Sequence, residues 1–190
     1  MNITTRLLIN SMAVVFGVGL AQTDKKPDKS ATLYLLRDDS KLQWCGYADE
    51  PKFKSDVQSL LARNVAVVNY VRGRVASIQM NETDETGDWA VNDNYLADPN
   101  EVLQSLKRMI NIIPEDNSEE QVFLLKGGHP VKESSNIREL RSGRPTANRV
   151  SWFEAPPVVA SLQEFPFASL IPRLSDVKTT GRLCIPDQQK

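Results

Sequence analysis

Between residues 31 and 133, short runs of β-branched, aromatic and aliphatic residues alternate with turn-forming residues. Such runs are typical of antiparallel strands joined by tight turns. Arg72-Gly73 separates residues 65–71 from residues 74–80, and glycine readily takes the positive φ that a two-residue hairpin turn requires. The same patterns predict further strands over residues 31–37, 42–48, 88–96, 121–125 and 131–133.

Residues 51–63 follow a different period. Apolar side chains recur there with the spacing of one helix face: Phe53, Val57, Leu60 and Leu61. Pro51 suits the first turn of a helix, and Asn64 can adopt the left-handed conformation that ends one. The pattern therefore predicts one helix that packs its apolar face on the sheet.

The run over residues 101–113 fits two structures equally well. Val102, Leu106 and Met109 match a helical stripe that Asp98 would cap. An aliphatic run that follows a strand and a turn is also how the second half of a hairpin looks. Helix and strand both stay open for this run.

Residues 134–190 carry six prolines, too many for a central strand. Large apolar residues such as Trp152, Phe165 and Phe167 are nevertheless frequent there, so a solvated tail does not fit either. We expect an extended Pro-rich segment packed on a core domain of residues 31–133. The predicted fold class is α+β, an antiparallel sheet packed by one or two helices with this C-terminal wrap.

The first 21 residues have the features of a secretory signal peptide. A short polar start precedes an apolar run over residues 7–20, which is too short to span a bilayer comfortably. Gly19-Leu20-Ala21 places small residues where a signal peptidase cuts, so we expect the mature chain to begin at Gln22. Residues 22–30 are polar and predict a flexible leader. The expected location is secreted or periplasmic, with no membrane association after cleavage.

Charge and cysteine content narrow the class of protein. The formal net charge of -1 comes without a cluster of basic residues, so nucleic acid is not an expected partner. Cys45 and Cys184 are the only cysteines, and an exported chain with an even number of them favours a disulfide. The pair predicts Cα atoms about 4.4 to 6.8 Å apart.

The stretch from residue 81 to residue 93 is rich in carboxylates around Gly87. One interpretation is a calcium loop with oxygen ligands from four residues, Glu82, Asp84, Asp88 and Asp93. The favoured interpretation is the solvated tip of a hairpin over residues 82–87, with Trp89 turned inward and Asp88 and Asp93 at the edge of the sheet. No cofactor other than this possible calcium is indicated.

Catalytic motifs are scarce. His129 is the only histidine, it lies in a predicted turn, and no nucleophile motif accompanies it. A carboxylate pair drawn from Asp84, Asp88 and Asp93 would suit a hydrolase without histidine. Four aromatic residues on predicted strands belong either to the core, which the alternation favours, or to a binding face: Trp44, Tyr47, Trp89 and Tyr95.

Together these features favour a non-catalytic binding or interaction module whose partner is a protein or a carbohydrate. A small secreted hydrolase that uses carboxylates is the first alternative, and a calcium-stabilised structural protein is the second. Whether the protein is an enzyme stays open at this point.

Overall fold

The computed structural model describes residues 30–147, 150 and 152–187. The signal peptide predicted over residues 1–21 lies outside the described residues, and so does the leader predicted over residues 22–30 apart from Ser30. Nine strands form one antiparallel sheet in the order β8-β7-β6-β5-β4-β3-β1-β2-β9. The strands are β1 (Ser30–Asp38), β2 (Gln43–Tyr47), β3 (Asn64–Val71), β4 (Arg74–Thr83), β5 (Trp89–Ala97), β6 (Leu103–Ile112), β7 (Asn117–Lys126), β8 (His129–Glu139) and β9 (Leu183–Pro186).

The predicted α+β class is wrong, because the fold is dominated by its sheet. The described residues form only two α-helices, α1 (Glu50–Leu60) and α2 (Leu174–Thr180), of 11 and 7 residues. The ambiguous run became β6, which lies between β5 and β7 and buries its alternate residues Leu106, Arg108 and Ile110. Its aliphatic spacing matches helix and strand alike, and pairing with both neighbours decides for the strand.

The predicted hairpins are confirmed, and one has an informative turn. Arg72 and Gly73 both have positive φ, 56° and 80°, as a two-residue turn matching strand twist requires. The last hairpin is longer than expected, because β8 continues to Glu139 instead of ending near residue 133.

Helix α1 is confirmed in position and ends earlier than predicted. Asp49 accepts a hydrogen bond from the backbone N–H of Lys52 at 2.8 Å, and Leu61, not Asn64, takes the left-handed cap. Phe53 packs on the rings of Tyr34 and Tyr47. The helix thus covers only the β1–β2 corner of one face of the sheet, which we call the outer face.

The opposite, inner face carries the main core. Its strands contribute Leu33, Leu35, Trp44, Ala66, Val68, Tyr70, Val75, Ile78, Tyr95, Leu103, Leu106 and Leu125. The C-terminal segment, residues 152–187, crosses this face with two 3₁₀-helices (Leu162–Glu164 and Ala168–Arg173) and α2. Phe165 and Phe167 of this segment are buried against Tyr95 and Trp44. The segment, not a helix layer, therefore closes the core.

The predicted disulfide is confirmed, since Cys45 and Cys184 are bonded. Their Cα atoms are 4.0 Å apart, slightly closer than the predicted range. The reason is that the two residues lie directly opposite each other in β2 and β9, where facing residues of an antiparallel pair approach closely. Within the part of the chain that the structure describes, neither helix has the length and hydrophobicity needed to cross a bilayer.

Candidate functional site

The acidic stretch divides between a loop and the inner face. Asp84 and Asp88 lie in the exposed β4–β5 loop, where the hydroxyl of Thr86 is 2.6 and 2.8 Å from their carboxylates. Asp84 also accepts a hydrogen bond from the backbone N–H of Trp89. Desolvation works to raise the pKa of Asp84, but the hydrogen bonds from Thr86 and from backbone N–H groups outweigh it and lower that pKa. The carboxylate of Asp84 thus accepts hydrogen bonds from residues of its own loop.

Trp89 packs inward against Phe153, as expected, but Asp93 is not at the edge of the sheet. Asp93 lies in the middle of β5, is 8% exposed and directly faces Arg108 of β6. Two parallel hydrogen bonds of 2.7 Å join the guanidinium of Arg108 to the carboxylate of Asp93. This bidentate geometry is the strong form of an ion pair.

The same pair holds the C-terminal segment. Arg108 donates a third hydrogen bond, of 2.6 Å, to the carbonyl oxygen of Pro156. The hydroxyl of Tyr95, next to Asp93, accepts a hydrogen bond of 3.2 Å from the N–H of Val159. Buried charges and hydroxyls of the sheet therefore satisfy backbone groups of the segment that crosses it.

Glu82 is another carboxyl group on this face, beside Asp93. It is half-buried on β4. Met80 of the same strand faces Asp93, and Glu82 follows Met80 by two residues, so its side chain lies on the same face. Burial and the neighbouring charge of Asp93 raise the pKa of Glu82, and the guanidinium groups of Arg108 and Arg37 offset this only in part. We call Arg37, Glu82, Asp93 and Arg108 together the charged band.

Arg37 connects the charged band to the end of the segment. Its guanidinium pairs with Asp187 at 2.7 Å and with Asp39 at 3.0 Å, and Asp187 is almost fully buried. Arg63 extends the chain of ion pairs from Asp39 to Glu85 in the β4–β5 loop. The end of the sheet that carries these loops is called the Asp84 end.

The four candidate calcium ligands are thus not gathered around Gly87. Glu82 and Asp93 belong to the charged band, while Asp84 and Asp88 lie in the loop. Across the described residues, no group of three or more histidine, cysteine, aspartate and glutamate side chains is arranged to hold a metal ion. Calcium binding by these residues stays a prediction.

The opposite end of the inner face contains a half-open cavity of about 550 Å³. We call this end, with the β3–β4 turn and the β5–β6 loop, the Tyr70 end. The sheet contributes Tyr70, Gly73 and Glu101, and the C-terminal segment contributes Leu162, Gln163, Ala168, Ile171, Pro172 and Leu174. The volume and the mainly apolar walls are those of small-ligand sites.

Tyr70 fixes the floor of this cavity. Its hydroxyl donates a hydrogen bond of 2.7 Å to the carbonyl oxygen of Ile171, which joins β3 to the C-terminal segment. Burial, and to a smaller extent the negative charge of Glu101, raise the pKa of the Tyr70 hydroxyl. Tyr70 therefore stays neutral and acts as a structural donor.

Glu101 is held at the cavity rim by a tightly bonded loop. Asp98 accepts hydrogen bonds from the backbone N–H groups of Asn100 and Val102 at 2.8 and 3.0 Å. One carboxylate oxygen of Glu101 accepts a hydrogen bond of 2.8 Å from the N–H of Val75. The carboxylate consequently has a fixed position beside apolar walls.

The other candidate residues from the sequence lie either at the surface or in the core. His129 is exposed at the start of β8, opposite Lys126. Trp44, Tyr47 and Tyr95 are buried in the core, so they do not form an exposed binding face. Sequence reasoning missed the cavity, because its two walls are about 60 to 100 residues apart in the chain and no local pattern marks either of them.

No family model, curated protein or solved structure matches this chain. The geometry of the cavity and of the charged band therefore carries the functional argument.

Proposed function

We propose that the protein is a secreted or periplasmic, non-catalytic binding module that takes a small, largely apolar ligand at the Tyr70 end. The observation that carries this proposal is the cavity of about 550 Å³, which has apolar walls and a fixed carboxylate at its rim. Sites of this size and lining are the usual place for small ligands.

Export is supported by the disulfide between Cys45 and Cys184, because such bonds persist in oxidising compartments. The signal peptide predicted over residues 1–21 supports the same location. On the sequence alone, the expected partner is a protein or a carbohydrate. We propose a small apolar molecule in its place. Apolar walls suit an apolar group, whereas the aromatic side chains that would stack on a sugar ring, such as Trp44 and Tyr95, are buried.

A carboxylate-dependent hydrolase is the second candidate, and the raised pKa of Glu82 favours it. General acid catalysis needs such a carboxyl together with a second group that is free to act. The nearest carboxylate, Asp93, is buried and bonded twice to Arg108. Binding at the Tyr70 end is therefore the better-supported function.

Binding is tested with 2-(1-naphthyl)ethanol, a neutral fluorescent probe with an apolar ring. The purified protein should bind it saturably, and Ala168→Phe should abolish binding by filling the cavity. Leu96→Phe is the matched control, because it enlarges a half-exposed side chain that is outside the cavity lining. Equal binding by Ala168→Phe and wild type, or no binding by the wild type, would contradict the proposal.

A further inference from the structure

We propose that the ligand at the Tyr70 end is a small organic cation, a protonated amine attached to an apolar body. This inference rests on the proposed binding function and adds the charge of the ligand to it. The amine would lie against the carboxylate of Glu101, and the apolar body would lie against Leu162, Ile171 and Leu174.

The Glu101 carboxylate can still accept hydrogen bonds from a ligand. One oxygen is engaged by the N–H of Val75, and within residues 30–147, 150 and 152–187 Glu101 forms no ion pair. The residue is exposed, and a ligand that covers its carboxylate removes water from it, which costs free energy unless the ligand supplies a donor. A cationic donor compensates this loss best.

The arginines that adjoin lining residues in the chain are not part of the cavity lining. Arg74 donates a hydrogen bond of 2.5 Å to the carbonyl oxygen of Pro99, and Arg173 pairs with Asp176 at 3.0 Å. Neither guanidinium belongs to the cavity lining. Arg72, which precedes Gly73, is also outside the lining, so Glu101 is the charged residue of the lining and the charge that a ligand meets there is negative.

The β5–β6 loop holds Glu101 in one backbone conformation. Glu101 has φ of 64°, a conformation in which glycine or asparagine is favoured, and a glutamate there is uncommon. The hydrogen bonds of Asp98 and Val75 hold this backbone in place. A carboxylate that is positioned before the ligand arrives loses little conformational entropy on binding.

The test uses three probes with the same ring and different charge: 2-(1-naphthyl)ethylamine, 2-(1-naphthyl)ethanol and 1-naphthylacetate. At neutral pH and low salt the amine should bind about 1.5- to 5-fold more tightly than the alcohol, the range expected of an exposed ion pair. The acetate should bind more weakly than both. Added salt should reduce the advantage of the amine.

Glu101→Gln is the decisive variant, because its side-chain oxygen still accepts from Val75 while the charge is lost. It should bind the alcohol as the wild type does and bind the amine no more tightly than the alcohol. Glu154→Gln, at an exposed position outside the cavity lining, should keep the preference. Equal binding of all three probes would overturn the charge inference and leave the binding function standing. If none of the probes bound, both proposals would fall.

Discussion

At the Tyr70 end of the inner face the C-terminal segment leaves a cavity, whereas at the charged band the same segment is bonded directly to the sheet. The charged band reaches the segment through Arg108 with Pro156 and through Arg37 with Asp187. The cavity walls make one hydrogen bond across the same boundary, from Tyr70 to Ile171. The polar contacts between the sheet and the segment are concentrated at the charged band.

This difference indicates that the charged band stabilises the inner face and that the Tyr70 end binds the ligand. A cavity formed by two distant parts of the chain needs its walls held at a fixed separation. Two contacts fix this separation. Arg108 bonds Pro156 before the cavity residues of the segment, and Arg37 pairs with Asp187 after them. Substitutions in the charged band should therefore affect stability, and substitutions around the cavity should affect binding.

The largest effect is expected from Arg108→Met. The substitution leaves the buried carboxylate of Asp93 without its partner, which typically costs about 3 to 5 kcal/mol. Urea unfolding should show this loss, while Lys107→Met, on the exposed side of the same strand, should change stability little. The double variant Asp93→Leu/Arg108→Met should recover much of it, because the buried charge of Asp93 is no longer left unpaired. A small loss in Arg108→Met would mean that the band does not anchor the segment.

The next largest effect is expected from the disulfide. Cys45 and Cys184 are 139 residues apart, and removing a native disulfide typically costs about 2 to 5 kcal/mol. Unfolding of the Cys45→Ala/Cys184→Ala variant measures this cost. If stability stayed unchanged, the end of the segment would be held by Arg37–Asp187 and by β9 pairing alone.

A smaller effect of opposite sign is expected from Glu82→Gln. Burial beside Asp93 raises the pKa of Glu82 in the folded protein, so the folded state binds this proton more tightly than the unfolded chain does. Its contribution to stability is therefore full at acid pH and is lost as pH rises through the raised pKa. The variant should be more stable than wild type at pH 7.5 and should match it near pH 4. Equal stability at both pH values would show that Glu82 is well solvated.

The smallest effect on stability is expected from Glu101→Gln. The residue is exposed and the hydrogen bond with Val75 is retained, so the free energy of unfolding should change by about 0.5 kcal/mol or less. A large decrease in the free energy of unfolding, measured with urea, would show that Glu101 stabilises the fold. It would contradict the separation of a binding end from an anchoring band.

The hairpins and α1 could be predicted because their signals are local. Arg72-Gly73 supplies its own turn, and Phe53 and Val57 mark a helix face within a single segment. The prediction that Asp93 lies at the edge of the sheet was wrong, although the alternation of β5 indicates its inward position. It has the same parity in β5 as the buried Val91 and Tyr95, which marks it as inward-facing.

The fold class and the cavity could not be predicted for a different reason. Leu106 and Ile110 lie four residues apart, a spacing that fits a helix face and also the inward positions of a strand. Only pairing with β5 and β7 separates the two, and that pairing is not local. The meeting of Tyr70 and Glu101 with Ile171 depends likewise on the path of the C-terminal segment across the sheet.

Chemical-shift mapping tests most directly whether binding belongs to the Tyr70 end. Backbone amide spectra of ¹⁵N-labelled protein would be recorded during titration with 2-(1-naphthyl)ethylamine. We expect saturable shifts at Gly73, Glu101 and Leu174, with the amides of Glu82, Asp93 and Arg108 unmoved. Shifts centred on Glu82 and Asp93, with Gly73 and Leu174 unmoved, would contradict the division between a binding end and an anchoring band.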